Sequence, residues 1–326
     1  MIYVQCIATQ SVWAARWWKT GATAAAPSWP ENRGMPPGAS LSAWLRGAAR
    51  SLESIGSGRE ARHLLRETLG LSAASLSAQL HVDLKTTERA ALDARLRQRL
   101  TRVPLSQVLG SQPFWTLDLA VSPDVLTPRA DSEAVVAAVV EATGGACADA
   151  DADADARAGA RVLDIGSGSG CLLLATLSEL PGATGLGTDA SAAALDVARA
   201  NAVRCGLKAR ASFVETSWAD GVSGQWDVVV SNPPYIPTAS IKGLEPEVRD
   251  HEPRMALDGG SDGLAYYPHV LAEAARLLAP GGVGVFEHGF DQGPAVRELA
   301  RAHFGDVAQR HDRRGVERCV RVIVHK

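Results

Sequence analysis

The sequence predicts an α/β fold: a mostly parallel sheet covered by helices on both faces, preceded by a small helical domain and a β-hairpin linker. Three observations carry that expectation. Beyond residue 160, short β-branched runs alternate with stretches of helical length, as strand–helix units of a parallel sheet do. One of those runs, Arg161 to Ile165, leads straight into Gly166-Ser167-Gly168-Ser169-Gly170 and then a helix. Between Leu41 and about Arg102, by contrast, apolar residues recur only at helical spacing.

Composition sets the outer bounds. With 326 residues, 46% hydrophobic and 21% charged, the chain is an ordinary globular one, long enough for one large domain and a smaller one. Its net charge of −3 argues against a domain built mainly to grip a nucleic-acid backbone. Cys6, Cys147, Cys171, Cys205 and Cys319 are scattered, without a C-x-x-C pair or a histidine at ligand spacing. That predicts a reducing compartment, free thiols and no metal site. No apolar run approaches the roughly 20 residues of a membrane span, so no membrane role is expected.

Residues 1–34 hold Trp13, Trp17, Trp18 and Trp29, with a loop-like Ala- and Pro-rich stretch. They read as an N-terminal extension, either a targeting peptide or an over-long start with Met35 as initiator. Residues 35–103 form the helical domain. Ser40 or Ser42 caps a first helix bearing Leu41, Trp44, Leu45, Ala48 and Leu52, and Gly56 and Gly58 end it. Ala61 to Leu69, stopped by Gly70, is a second helix; Ser72 to Leu80 is a third; Thr86 to Leu100, with Leu92 and Leu96 on one face, is a fourth. His63 and His81 have no companions at metal spacing and read as structural. Residues 104–125 form the linker, in which Phe114 to Val121 alternates, is β-prone and reads as a hairpin joining the two domains.

Residues 126–326 form the α/β domain. Thr127-Pro128-Arg129 turns into a helix from Asp131 to Ala142. Residues 144–159 are Ala-Asp repeats, read as a flexible solvated insert because the glycine and glutamate of a calcium loop are missing. Strands follow at Arg161–Ile165, Thr184–Asp189, Ala211–Glu215, Trp226–Val230, Val283–Glu287 and Val316–Val324. Helices are expected at Cys171–Leu180, Ser191–Cys205, Ala265–Leu278 and Ala295–His303, and the helix-poor tail suggests a closing antiparallel pair.

Two constellations carry chemistry. Glycines at 166, 168 and 170, between strand and helix, permit a tight turn and close backbone approach to a ligand. Asp189 ends the next strand, where an acid can bind two ribose hydroxyls or simply cap the following helix. Asp164 beside the loop suits a cationic amino-acid-bearing ligand better than a pyrophosphate, so S-adenosylmethionine is favoured over a dinucleotide. The second constellation is Asn232-Pro233-Pro234-Tyr235. Two prolines fix an extended exit from the strand and hold Asn232 at its carboxyl end. The Asn232 side-chain carbonyl and the Pro233 backbone carbonyl can accept both N–H bonds of a planar –NH2 group, and the Tyr235 ring can pack on it. Methyl transfer from a sulfonium requires mainly alignment, so no strong base is needed and none is evident.

At these residues the chain resembles the class I amino-methyltransferases. More narrowly it is similar to the HemK family, the glutamine methyltransferases of peptide chain release factors. The narrower resemblance rests on Thr127-Pro128-Arg129-Ala130-Asp131-Ser132-Glu133, Phe114-Trp115 and the run from Glu247 to Leu264, and spans about residues 40–326. It implies a Rossmann-like, seven-stranded class I domain. It further implies that Asp164, Gly166, Ser167, Gly168, Ser169 and Gly170 hold the methionine part of S-adenosyl-L-methionine, Asp189 the ribose and Trp218 the adenine. Asn232, Pro233, Pro234 and Tyr235 would receive the substrate glutamine, with Asn232, Pro233 and Tyr235 catalytic and Asn232 also lining the cofactor side. Ser217 stands where that family has an acid, and Asp312 to Arg318 is a looser version of its ending.

The expected activity is cytoplasmic methylation, by a monomer, of the Gly-Gly-Gln glutamine of class 1 release factors, leaving S-adenosyl-L-homocysteine. The rivals are a ribosomal-protein glutamine methyltransferase, whose usual Pro-Arg-Ser-Pro is absent, and an adenine-N6 methyltransferase of DNA or RNA, which shares the acceptor loop but needs a basic face.

Overall fold

The computed structural model describes residues 40–144 and 159–325; the N-terminal extension, Met35 and nearly all of the Ala-Asp insert lie outside the described residues. Helix α1 (Leu41–Glu53) starts at Ser40, whose hydroxyl accepts from the Ala43 amide at 3.3 Å, and buries Leu41, Trp44, Ala48 and Leu52. Its Trp44 indole donates to Asp93 at 2.8 Å on α4 (Thr86–Leu100). Between them lie α2 (Glu60–Leu69), closed by left-handed Gly70, and α3 (Ala73–Gln79), capped by Ser72. A further short helix, α5 (Leu105–Leu109), opens the region read from sequence as pure linker.

The expected hairpin is present: β1 (Ser111–Phe114) pairs with β2 (Leu117–Ala120) across a turn at Trp115-Thr116. Tertiary bonds decide this. Trp115 sits at φ 56°, held there by its amide donating to Glu133 (3.1 Å) and its indole donating to Glu179 (2.6 Å).

A short 3₁₀ turn (Ala130–Ser132) leads into α6 (Glu133–Thr143). The core then runs β3 (Arg161–Ile165), α7 (Cys171–Glu179), β4 (Thr184–Asp189), α8 (Ala192–Arg204), β5 (Ala211–Glu215) and β6 (Trp226–Ser231). After α9 (Pro246–His251) come α10 (Tyr267–Leu277), β7 (Leu278–Glu287), α11 (Gly293–Arg301), β8 (Asp306–His311) and β9 (Glu317–Ile323). The seven strands stand in the order β5-β4-β3-β6-β7-β9-β8, with β9 antiparallel to both its neighbours. Strand β8 has no alternation to announce it: it is a polar edge strand, specified by its pairing with β9. Strand β7 starts at Leu278, five residues earlier than the apolar run implies, because Leu278 already pairs with Trp226; a bulge containing left-handed Gly281 then separates it from the regular pairing that begins at Val283.

Strands β3, β4 and β5 step outward one way, and β6 returns to the other side of β3. That reversal opens a crevice at the carboxyl ends of β3 and β6, where open α/β sheets place ligands. Apolar layers lie on both faces of the sheet. Val135, Val139, Leu172 and Leu173 pack on one, and Tyr267, Val270, Leu271 and Phe286 on the other. Among the described residues no helix is long and apolar enough to cross a membrane, and Cys171, Cys205 and Cys319 are free thiols.

Candidate active site

Ile165 and Ser231 are register partners on parallel neighbours, and the Ser231 hydroxyl donates to the Ile165 carbonyl at 2.7 Å. The next residues, Gly166 and Asn232, therefore leave the sheet side by side. Both sequence-predicted constellations meet in that crevice.

The glycine loop is held through its backbone amides, anchored on the end of β4. Gly166 and Gly168 have φ of 76° and 52°, and among the described residues no atom lies within 4 Å of where a Cβ would sit. Gly170, by contrast, lets α7 approach α8: an added Cβ would stand 3.2 Å from the Ala198 methyl. The Gly166 and Ser167 amides donate to Thr188 O at 2.9 and 2.8 Å, and the Gly168 amide to Asp189 Oδ2 at 2.8 Å. Asp189 Oδ1 accepts from the Ser191 amide at 2.9 Å, but Ser191 itself caps α8, so Asp189 is not that helix's cap.

Beneath the loop, Asp164 is fully buried. One oxygen accepts from the Leu173 amide at 3.2 Å; among the described residues Oδ1 has no partner, nor does the buried Ser169 hydroxyl. Burial pushes the Asp164 carboxyl up to about 7, the Leu173 amide resists, and the charge of Asp189 adds to the rise. Two left-handed glycines over a buried carboxylate oxygen that lacks a partner among the described residues fit a ligand carrying an ammonium group. Trp218 has φ 53°, is half-buried, and lies with its ring centroid 4.9 Å from that of Tyr266; the neighbouring Ser217 is exposed.

The acceptor loop is held from outside itself. Asn232 Nδ2 donates to Ser132 Oγ at 3.5 Å, and the Tyr235 hydroxyl donates to Glu287 Oε1 at 3.4 Å. Gln292 donates to the Tyr235 carbonyl at 3.0 Å, while Ile236 exchanges backbone bonds with Leu257 (3.0 Å) and Gly259 (2.8 Å). The glycines of the 257–264 run now have a physical reason. A Cβ on Gly259 would stand 2.7 Å from the Pro234 carbonyl oxygen, and one on Gly263, at φ 78°, would collide with the Tyr235 carbonyl.

The outer shell repeats this pattern. Arg129 Nη2 reaches both oxygens of the buried Glu252 at 2.8 and 2.7 Å; burial raises the Glu252 carboxyl and the Arg129 charge counters it. Asp131 is gripped by Arg314 (2.6 Å) and Arg318 (2.8 Å) from the tail. In that tail, the Val316 amide, with Arg318 and Arg314, holds Asp312 down to about 2.

Sequence reasoning passed over Glu287. It ends β7, is buried, and its Oε2 has no partner among the described residues. Burial pushes it up to about 7, and Asp131 adds to the rise. Hydrogen bonding from Ser132, the Arg318 charge and the Tyr235 hydroxyl pull it down. A single acid closing the apolar run Val283 to Phe286 was the available signal.

Two family models match the chain: the methyltransferase small domain over residues 152–243 and the PrmC N-terminal domain over residues 43–110. The release factor glutamine methyltransferase of Caulobacter vibrioides is 43% identical over 74% of this chain and 81% of its own length. Those of Rhodospirillum rubrum and Geobacter sulfurreducens are 42% identical over 80% and 77%, and 38% identical over 85% and 93%. Among solved structures, TrmN from Thermus thermophilus aligns with 59% of this chain and 48% of its own, at 26% identity and a TM-score of 0.39. The chain belongs to the release factor glutamine methyltransferase family and is a methyltransferase.

Proposed function

We propose that this family member transfers a methyl group from S-adenosyl-L-methionine to the side-chain amide nitrogen of the glutamine in the Gly-Gly-Gln loop of class 1 release factors. The observation that carries the reading is the juxtaposition of a backbone-built glycine cradle and an Asn-Pro-Pro-Tyr loop on adjacent strand ends. The names of the relatives favour a protein glutamine over adenine as acceptor.

When bound, the cofactor supplies a methyl group on a positively charged sulfur. Asp164, Gly166, Ser167, Gly168, Ser169 and Gly170 would hold its amino-acid end, Asp189 its ribose and Trp218 its adenine, with Asn232 lining the boundary. The side-chain oxygen of Asn232 and the carbonyl of Pro233 accept the two amide N–H bonds of the glutamine. Two acceptors fix the nitrogen in line with its target and draw its proton-bearing bonds toward oxygen, favouring charge development there. Pro234 stiffens the loop and the Tyr235 ring packs on the flat amide. The helical domain, residues 35–103, docks the protein substrate, and the enzyme works as a cytoplasmic monomer without nucleic acid.

The test is parallel incubation of the purified protein and labelled cofactor with release factor, ribosomal proteins and DNA. Label in the release-factor glutamine is expected; label only in ribosomal protein or nucleic acid overturns the proposal.

A further inference from the structure

Pro233 and Pro234 have no N–H, so the backbone of the acceptor loop offers outside groups little to hold until the peptide plane between Tyr235 and Ile236. That plane is gripped on both edges. Its N–H donates to Leu257 O at 3.0 Å, and its carbonyl accepts from Gln292 Nε2 at 3.0 Å. The sense of the Gln292 amide is fixed by partners that can act in only one way. The Gly289 N–H, a donor only, reaches Oε1 at 2.9 Å; Nε2 faces two acceptors, Tyr235 O and, at 3.3 Å, Gly263 O. Turning the amide over would set oxygen against two carbonyls and nitrogen against an N–H. Gln292 therefore joins three distant segments: the acceptor loop, the 257–264 run and the turn after β7. That turn is anchored in its own right. The Gly289 carbonyl accepts from the Gln292 amide at 3.0 Å and from Nδ1 of fully buried His288 at 2.7 Å. With the proton on Nδ1, the neutral ring keeps a lone pair on Nε2, which accepts from Gln309 Nε2 at 2.8 Å. Burial lowers the pKa of His288 and favours that neutral ring. Gln309 on β8 also donates to Cys319 O on β9 at 3.0 Å. The turn is thus tied to the two strands behind it and holds the acceptor loop in front.

We propose that Gln292 is a positioning residue for methyl transfer: by clamping the Tyr235–Ile236 peptide plane to Gly263 and to the turn after β7, it holds the Pro233 carbonyl and the Tyr235 ring where they meet the acceptor. The inference rests on the reading of Asn232 to Tyr235 as the acceptor pocket. Gln292 moves no proton, and its whole effect passes through Tyr235. Its loss therefore falls on turnover and leaves the cofactor side intact.

The experiment compares the full-length protein with Gln292→Met and Gln292→Glu, using release factor and labelled cofactor between pH 6 and pH 8. Gln292→Met keeps the length of the side chain and removes both functions of the amide. Its kcat is expected to fall about 30-fold, with the KM for release factor and the cofactor affinity within about threefold of wild type. Gln292→Glu gives the sharper readout. Ionised, its second oxygen repels the two carbonyls; protonated, its O–H donates to Tyr235 O while the other oxygen still accepts from Gly289. Partial burial beside two carbonyls raises that carboxyl, so the kcat of Gln292→Glu relative to wild type should rise at least about fivefold from pH 8 to pH 6, while that of Gln292→Met stays flat. Near-normal kcat in Gln292→Met, an equal loss of cofactor affinity, or a Gln292→Glu ratio that ignores pH overturns the proposal. A second readout needs no acceptor: amide exchange at Ile236 and Gly259, followed by NMR, should be at least about tenfold faster in Gln292→Met, with the Gly168 amide unchanged. Unchanged exchange at Ile236 also overturns it. Failure of the wild type to label release factor would count against the proposed substrate and leave the exchange measurement to decide the role of Gln292.

Discussion

The two sides of the crevice are built by different means. On the glycine side, the loop, the strand before it and Asp189 on the next strand supply nearly all the geometry, through backbone bonds within one strand–helix–strand unit. On the acceptor side, four residues are held by groups from all over the chain. Ser132 lies 100 residues before Asn232, and Glu287 and Gln292 lie 52 and 57 residues after Tyr235. Even the helical domain contributes. Arg99 on α4, 3% exposed, bonds Glu60 at 2.5 Å and Glu247 at 2.8 Å, and Arg102 reaches Glu247 at 2.7 Å, pinning the segment that follows the acceptor loop. A loop shaped by backbone bonds within one strand–helix–strand unit needs little from the rest of the chain, whereas a loop braced by distant side chains is only as rigid as the packing of the segments that supply them.

Asn232 stands at the centre of the crevice, where the largest effect is expected. Asn232→Ala is expected to lower turnover on the order of 10³-fold while cofactor affinity stays within a few-fold. Near-normal turnover in a labelled-cofactor assay would remove Asn232 from its role. Next in size is Gly263→Ala, which sets a methyl against the Tyr235 carbonyl at a left-handed backbone position. It should cost about 2 kcal/mol and depress turnover, with cofactor affinity nearly intact. An equal loss of cofactor affinity would erase the distinction between the two sides. Arg99→Met follows, which leaves half-buried Glu60 without its cation and Glu247 with Arg102 alone. A loss of about 1.5 kcal/mol in urea unfolding is expected, because two charge-assisted hydrogen bonds to partly buried carboxylates are lost. A loss under about 0.5 kcal/mol would show that the helical domain does not brace the acceptor side.

Acidity gives a smaller effect, confined to the cradle. The Asp164 carboxyl is raised, to about 7, so its ionised form is the one lost as pH falls through 7. Because a cationic ligand favours the ionised form, affinity measured by calorimetry should drop by up to about tenfold per pH unit below 7, and Asp164→Asn should flatten that slope. The same shift has the opposite sign for the ligand-free fold: the stability it contributes is full below the ordinary aspartate range and is lost as pH rises through about 7. The smallest effect belongs to exposed Ser217. Ser217→Asp should tighten cofactor binding by no more than about threefold, and a larger gain would mean the cradle depends on more than backbone.

How much of this is legible in the sequence follows the same division. The glycine loop and Asp189 can be read directly, because glycine at left-handed positions and an acid one strand later are local signals. The Asn-Pro-Pro-Tyr exit is legible too, since proline fixes the backbone wherever it stands. The partners of that exit are not. Ser132 looks like one polar residue at a helix start, and Glu287 like the polar end of a strand. Strand β8 carries no pattern, and the hairpin turn at Trp115 is set by Glu133 and Glu179. The sequence by itself determined the strand–helix alternation, the left-handed glycine loop and the stiff Asn-Pro-Pro-Tyr exit, because those depend on backbone freedom and side-chain type within a few residues. Only the tertiary structure decided what the Asn232 side chain meets, what braces Tyr235 and why Gly259 and Gly263 are glycines. Each of those is a contact between segments far apart in the chain, specified by the order of strands in the sheet and by burial that withholds water as an alternative partner.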